Sequence, residues 1–330
     1  MTNQFQIINN KIKNITGPIA IFGAGGFIGI NLLNKLLQYR KDVMGFSSDP
    51  NSNWRIKQNN IPVKNIAKCD LLKKKDIESL IKKYKPKTIF NLAGYGGYSK
   101  QKDIEKIYQT NFISTLNLIE ELKKNNFSSY LYAGSQSEYG LNSAAPSEDD
   151  KLMPNSHYAV SKAAVSYLLN YYGKIDKLPV VHLRLYSVYG PWEEPDRLMP
   201  VLIENVKKGK LPHFVDPAIS RDFIYVDDVV EAMIIMASRV GTIHELSLQQ
   251  KYFGEAFNVA SGKKTTIKEL AFLAKKLFKI RKNPVFGSMK NREWDLKDWY
   301  GNPKKIQKVF GWKARTSLKD GLMKFYKYEK

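Results

Sequence analysis

Ile19-Ala20-Ile21-Phe22-Gly23-Ala24-Gly25-Gly26-Phe27-Ile28-Gly29 is the stretch on which the reading of this chain turns. Its first four residues are apolar, which suits a strand buried on both faces. Apolar positions continue through Leu33 and Leu36, so the spacing predicts a helix after the glycines. The order is strand, glycine turn, helix. Gly23, Gly26 and Gly29 stand at GxxGxxG spacing, which allows a sharp turn and close packing of helix on strand. It also lets backbone N–H groups approach a pyrophosphate at the positive end of the helix dipole. Phe27 and Ile28 complete that turn.

Working outward, short apolar strands alternate with amphipathic helices. Strands are expected at 42–47, 63–66, 88–93, 129–134 and 180–185, with helices over 26–39, 75–84, 103–124 and from 156 through 169. That rhythm implies parallel βαβ units. Residues 1–17 are polar and read as a leader with at most one short strand or turn. Beyond 186 the rhythm loosens. A helix is expected at 198–208, an extended piece at 211–215, a helix at 229–237 and a strand at 255–260. Thr266 and Glu269 form a capping-box pattern before a helix to about Phe278, and short helices close the chain at 303–310 and 318–328.

The chain has 330 residues and a formal charge of +22. The lysines are spread over helical polar faces, so a solvated surface is expected rather than a nucleic-acid-binding arm. A single cysteine, Cys69, excludes an internal disulfide framework and reads as a buried small residue. No apolar run approaches the ~20 residues that span a bilayer, and a cytoplasmic protein without membrane partners is expected. His182 and His213 lack companions at metal-ligand spacing, so no metal is expected.

The second strand ends in Ser47-Ser48-Asp49, where an acid would serve the ribose of NAD. With serine there and Arg55 nearby, the cofactor reads as NAD or NADP, leaning slightly to NADP. Tyr158 and Lys162 are four apart and face one side of a helix. His157, turned away by about 100°, is expected to be structural or solvent-facing.

Together Gly23-x-x-Gly26-x-x-Gly29, the Ser135 turn with Tyr139-Gly140, Tyr158-x-x-x-Lys162, Arg184 before Tyr189-Gly190-Pro191, the run Arg221 to Asp228 and Phe310-Gly311-Trp312 carry a resemblance. They resemble the extended short-chain dehydrogenase/reductase family, in its nucleotide-sugar epimerase and dehydratase branch. The resemblance implies a doubly wound parallel (Rossmann) sheet formed mainly by residues 1–185, with 221–240 and 255–261 returning to it. A smaller nucleotide-sugar-binding domain is implied over 186–330.

It further implies Tyr158 as acid/base, its phenol brought towards the working range by Lys162 and an oxidised nicotinamide. Lys162 would also hold the nicotinamide ribose, and Ser135 would align the substrate oxygen. Asp70 and Leu71 resemble the adenine contact, although Asp70 also reads as a helix N-cap. Ala93 ends a strand at the cofactor, and Asn111 resembles a site-shaping asparagine. Gln136, Ser187, Arg221 and Arg292 are the substrate candidates, the arginines for the diphosphate. Trp294, Trp299 and Tyr300 could stack on a base or pack the small domain.

Relatives that dehydrate between C4 and C6 resemble one another in an acidic pair after the serine; here Gln136 and Ser137 stand there. An amide cannot protonate a leaving hydroxyl, and Glu138 falls one residue late. The implied chemistry is therefore hydride transfer at a carbinol, C4 foremost. It is either 4-epimerisation or net dehydrogenation or ketoreduction on a nucleotide-diphosphate sugar. A homodimer through helices 103–124 and 156–172 is the implied assembly, and surface-polysaccharide assembly the implied use.

Overall fold

A computed structural model describes residues 2–240, 250–289 and 295–328. Strands β1 (Ile19–Phe22), β2 (Val43–Ser47), β3 (Ile66–Lys68), β4 (Thr88–Asn91), β5 (Ser129–Ser135), β6 (Val180–Leu185), β7 (Ser187–Tyr189), β8 (Ser220–Arg221), β9 (Phe223–Tyr225), β10 (Ala256–Val259) and β11 (Thr265–Thr266) form three sheets among the described residues. The helices are α1 (Thr2–Lys13), α2 (Phe27–Leu37), α3 (Trp54–Gln58), α4 (Lys74–Tyr84), α5 (Ile104–Tyr108), α6 (Ser114–Lys123), α7 (His157–Lys174), α8 (Leu198–Lys207), α9 (Val226–Val240), α10 (Ile267–Leu277), α11 (Lys304–Phe310) and α12 (Leu318–Tyr328).

The large sheet runs β3-β2-β1-β4-β5-β6-β10, and every pair is parallel. Its order reverses between β1 and β4, so the carboxyl ends of these strands open a crevice. Alternation along β1 divides the core. Ile19 and Ile21 pack with α1, α2, α9 and α11, whereas Ala20 and Phe22 pack with α4, α6 and α7. A third apolar cluster joins Tyr189, α8, Phe214, Ile219, Tyr225, α10 and α12 into a lobe beyond the sheet.

Several expectations are corrected. The predicted polar leader holds helix α1, whose Ile8 and Ile12, with Ile15 beyond it, are buried in the main core. Arg40 caps its end, donating to the carbonyls of Ile12 and Ile15 while its other nitrogens pair with Asp42. The strand expected at 63–66 begins only at Ile66, because Pro62 opens a single 3₁₀ turn over Val63–Asn65. The helix expected over 103–124 is broken by a π-turn at Gln109–Ile113. The extended piece at 211–215 is reduced to one bridge between His213 and Val285. Helix α9 starts three residues early, directly at the end of β9.

One buried polar network fixes the edge of the sheet. Gln136–Glu138 form a 3₁₀ turn capped reciprocally by Ser135 and Glu138. Glu138 is fully buried and accepts from the Ser135 N–H at 2.7 Å and from Arg184 Nε at 2.9 Å, with His182 Nε2 at 2.8 Å. Burial alone would raise its carboxyl, but His182, Arg184 and the Ser135 N–H hold it below the usual carboxylate range. Arg184 also donates to Tyr139 Oη, Ser166 Oγ and the Glu148 carbonyl, and Tyr139 donates on to Asn258 of β10. Glu138→Gln leaves the Arg184 charge buried without its partner. We expect a loss of about 3–5 kcal/mol of stability, read from urea unfolding; a loss below about 1 kcal/mol would refute the role given to this pair.

Candidate active site

The crevice is lined first by the glycine turn. Gly23 has φ +75°, and a Cβ there would lie 2.7 Å from the Ala93 nitrogen, so β1 and the loop after β4 meet only because the side chain is missing. A Cβ at Gly29 would lie 2.2 Å from the Gly23 carbonyl, which forces the helix close to the turn. Gly26 caps α2 without any side-chain hydrogen bond. The helix therefore offers its first N–H groups and dipole to an anion. This cradle fits a dinucleotide pyrophosphate. Phe27 and Ile28 begin α2, and Ala93 N–H is held by Asn91 Oδ1 at 3.2 Å.

Asp70 does not cap α4; Lys73 stands at that N-cap. Asp70 instead closes a turn by accepting from the Leu72 N–H at 3.1 Å, beside buried Leu71. Ser47 ends β2 beside Asp49, which accepts from Ser52. Arg55, one ground for the lean to NADP, is buried and directed elsewhere. It donates to the Trp192 carbonyl at 2.7 Å and pairs with Glu194 at 2.9 Å.

Ser135, Tyr158 and Lys162 converge at the carboxyl end of β5. Tyr158 neighbours Ser135, whose Oγ accepts from the Ser137 N–H at 3.1 Å, and burial pushes the Tyr158 phenol up to about 12. Ser135 and Arg197 pull the phenol in the expected direction, and burial outweighs them. Lys162 is buried and donates to Tyr132 Oη at 2.9 Å and the Ala133 carbonyl at 2.8 Å. Its Nζ lies 5.9 Å from the Tyr158 ring centroid. Burial pulls its ammonium down to about 8. A neighbouring phenolate or other anion would reverse that shift.

The loop after β4 closes over this group. Asn111, fully buried in the π-turn, accepts from the Tyr95 N–H and donates to the Tyr95 carbonyl and Ser161 Oγ, each at 2.8 Å. A Cβ at Gly97 would lie 3.8 Å from the Tyr158 hydroxyl, so the loop passes directly over the ring. Tyr98, in that loop, and Arg197 act on the Tyr158 phenol and were not singled out from the sequence. No spacing pattern marks them, since the fold brings them in from separate loops.

A cavity of about 180 Å³ is lined by Ser187, Glu193, Arg197, Arg221 and Asp295 among others. Gln136 Nε2 is 3.3 Å from Ser187 Oγ, and its Oε1 is buried without a hydrogen-bond partner. Arg221 lines the same cavity, paired with Asp295 and stacked 4.7 Å from the Trp299 ring centroid. Trp299 is buried beneath it and packs there, while the backbone of Tyr300 bridges to Ala144. Arg292 and Trp294 lie outside the described residues. His157 is exposed and meets Tyr108 Oη at 3.2 Å. Burial pushes the Cys69 thiol up to about 12, which suits an inert core residue. No group of three metal-ligating side chains occurs among the described residues, and no helix there is long and apolar enough to cross a membrane.

Comparison with known proteins agrees with this geometry. The UDP-glucose 4-epimerase of Mycolicibacterium smegmatis is 28% identical over 314 residues, covering 92% of this chain and 96% of the relative. The structure of UDP-glucuronic acid 4-epimerase from Bacillus cereus, in complex with UDP-glucuronic acid and NAD, matches with a TM-score of 0.79 and 25% identity. That match covers 94% of this chain and 98% of the other. An epimerase from Methanothermobacter thermautotrophicus matches in fold with a TM-score of 0.82 at 22% identity, covering 98% of this chain and 95% of its own. The model of the NAD dependent epimerase/dehydratase family matches residues 19–260. With the glycine cradle at the switch point and Ser135, Tyr158 and Lys162 gathered at its edge, the chain belongs to the NAD dependent epimerase/dehydratase family.

Proposed function

We propose that this chain is an NAD-dependent 4-epimerase of UDP-sugars. The observation that carries the reading is the meeting of Ser135, Tyr158 and Lys162, with Gln136 beside Ser135 reaching Ser187 on the wall of a cavity that Arg221 also lines. In this reading Tyr158 takes the proton of the C4 hydroxyl and later returns it, while Ser135 keeps that oxygen aligned. Lys162 supplies positive charge next to the phenol and reaches the nicotinamide ribose. When bound, NAD supplies a reversible hydride acceptor for the sugar carbinol. Arg221 contacts the diphosphate, and Ser187 with Gln136 the glycosyl end. NAD is preferred over NADP because the Arg55 guanidinium is engaged by Trp192 and Glu194. The lobe built on α8, α10 and α12 would form the sugar-nucleotide side of the site.

A homodimer through α5, α6 and α7 is part of the proposal. It is supported by Ile104, Val160, Tyr167, Tyr171 and Ile175, apolar residues left exposed on or next to these helices. Tyr167→Glu is expected to convert the dimer to a monomer in sedimentation velocity; a wild type that sediments as a monomer would refute the assembly.

Mass spectrometry after gentle denaturation is expected to find retained NAD, and incubation with UDP-glucose should yield UDP-galactose with no lasting change at the reduced-nicotinamide absorbance. Stoichiometric accumulation of reduced cofactor would instead indicate a dehydrogenase. Tyr158→Phe should lower turnover by at least about 10²-fold and leave UDP-sugar binding within about threefold; unchanged turnover would refute the mechanism.

Lys162 gives a pH signature in the cofactor-free protein. Its folded pKa, about 8, lies below the unfolded value of 10.5, so the unfolded chain binds the extra proton between these values. Its contribution to stability therefore rises as pH goes from 8 to 10.5 and is least favourable below 8, a span on the order of 3 kcal/mol. The stability of wild type relative to Lys162→Met should climb across that window; a flat difference would refute the buried ammonium.

A further inference from the structure

The cavity that Ser187 and Arg221 line contains a carboxyl group that the proposed reaction does not use. Glu193 follows Gly190-Pro191 and Trp192 on the loop after β7, and it is 8% exposed. It lines the same cavity as Ser187, Arg197 and Arg221. Its Oε1 lies 3.5 Å from Arg197 Nε. Its Oε2 is buried without a hydrogen-bond partner among the described residues. A buried carboxylate oxygen in that state destabilises the fold unless a donor reaches it.

Its neighbours place it at the sugar. The Arg197 guanidinium lies 5.7 Å from the Tyr98 ring centroid. Tyr98 follows Gly97, where a Cβ would lie 3.8 Å from the Tyr158 hydroxyl. Through Arg197 and Tyr98 Glu193 is joined to the loop over Tyr158, and it shares one cavity with Ser187 and Arg221, so it stands on the wall that a hexose held between Tyr158 and Arg221 would meet.

The charges there are already matched. Arg197 faces Glu193, while Arg55 and Lys100 face Glu194, and Lys100 also faces Asp196. A hexuronate would bring a second anion beside Glu193 and compete for a guanidinium already shared. A hexose with a hydroxymethyl group brings an O–H donor for Oε2 instead. Resting on the reading of the chain as a UDP-sugar 4-epimerase, the geometry points to Glu193 as a specificity-determining residue that accepts a hydroxyl from a neutral hexose and excludes hexuronates.

Burial lifts the Glu193 carboxyl to about 7, against the opposing pull of Arg197 and Arg55. At pH 8 it is therefore mainly the anion, and the test is run there. The full chain with NAD is given UDP-glucose or UDP-glucuronate, and kcat/KM and calorimetric Kd are compared. Wild type is expected to favour UDP-glucose by at least about 30-fold, and Glu193→Gln to shrink that ratio about tenfold, through a gain on UDP-glucuronate. Equal or better handling of UDP-glucuronate by wild type overturns the inference, as does an unchanged ratio in a folded Glu193→Gln. Should that variant fail to fold, the wild-type preference alone upholds or overturns it. If neither sugar is epimerised, the functional reading fails, and calorimetry still separates the two: a UDP-glucose preference that shrinks in Glu193→Gln upholds the role of Glu193, and equal binding, tighter UDP-glucuronate binding or a preference unchanged in the variant overturns it.

Discussion

A carboxylate removed from water must be surrounded by donors, and in this chain that demand organises the catalytic edge of the sheet. Glu138 is held by Arg184, His182 and the Ser135 N–H. The group that keeps the ion pair buried is thus also the group that fixes the backbone of Ser135. Arg184 is in turn shared with Tyr139, Ser166 and the Glu148 carbonyl, which belong to three different parts of the fold. Burial pushes His182 below its usual pKa, so it serves as a neutral donor to Glu138 and the guanidinium carries the compensating charge. A polar network of this kind is rigid because any rotation leaves a buried group unsatisfied.

The neighbouring elements repeat the principle with other chemistry. The π-turn at Gln109–Ile113 interrupts a helix so that Asn111 can bind both polar groups of the Tyr95 backbone. The loop after β4 is thereby tied down over Tyr158, next to glycines whose missing side chains leave room for the ring. Lys162 is held between Tyr132 and Ala133 until a partner of opposite charge is present. On the far side, Asp222 accepts from the N–H groups of Ser261, Gly262 and Gly301 and from Ser261 Oγ. That single carboxyl links the end of β10 and the segment before α11 to the strand pair that bears Arg221.

Much of the sheet was legible because its signals are local. The alternation of Ile19, Ala20, Ile21 and Phe22, the glycine spacing and the Thr266–Glu269 capping box each act within a few residues, and each is found where expected. The pairing of Tyr158 with Lys162 came from their spacing and Ser135 and Asn111 from the family resemblance; the fold brings Ser135, Tyr158 and Lys162 together. The errors have a common cause. Helix α1 is polar in composition and is kept by three isoleucines meeting a core assembled far along the chain. The π-turn serves a backbone sixteen positions away, and the reach of Arg55 depends on a loop that begins at Trp192.

The sequence by itself determined the parallel sheet, the anion-accepting turn and the residues that could exchange a proton, because backbone propensity and side-chain pKa are short-range properties. Only the tertiary structure decided which charges lose their water. It buries Glu138 against Arg184, sets Glu193 in the cavity wall with one oxygen unpaired and ties Arg55 to Trp192 and Glu194. Those outcomes follow from desolvation, whose cost depends on what every other part of the chain places around a group.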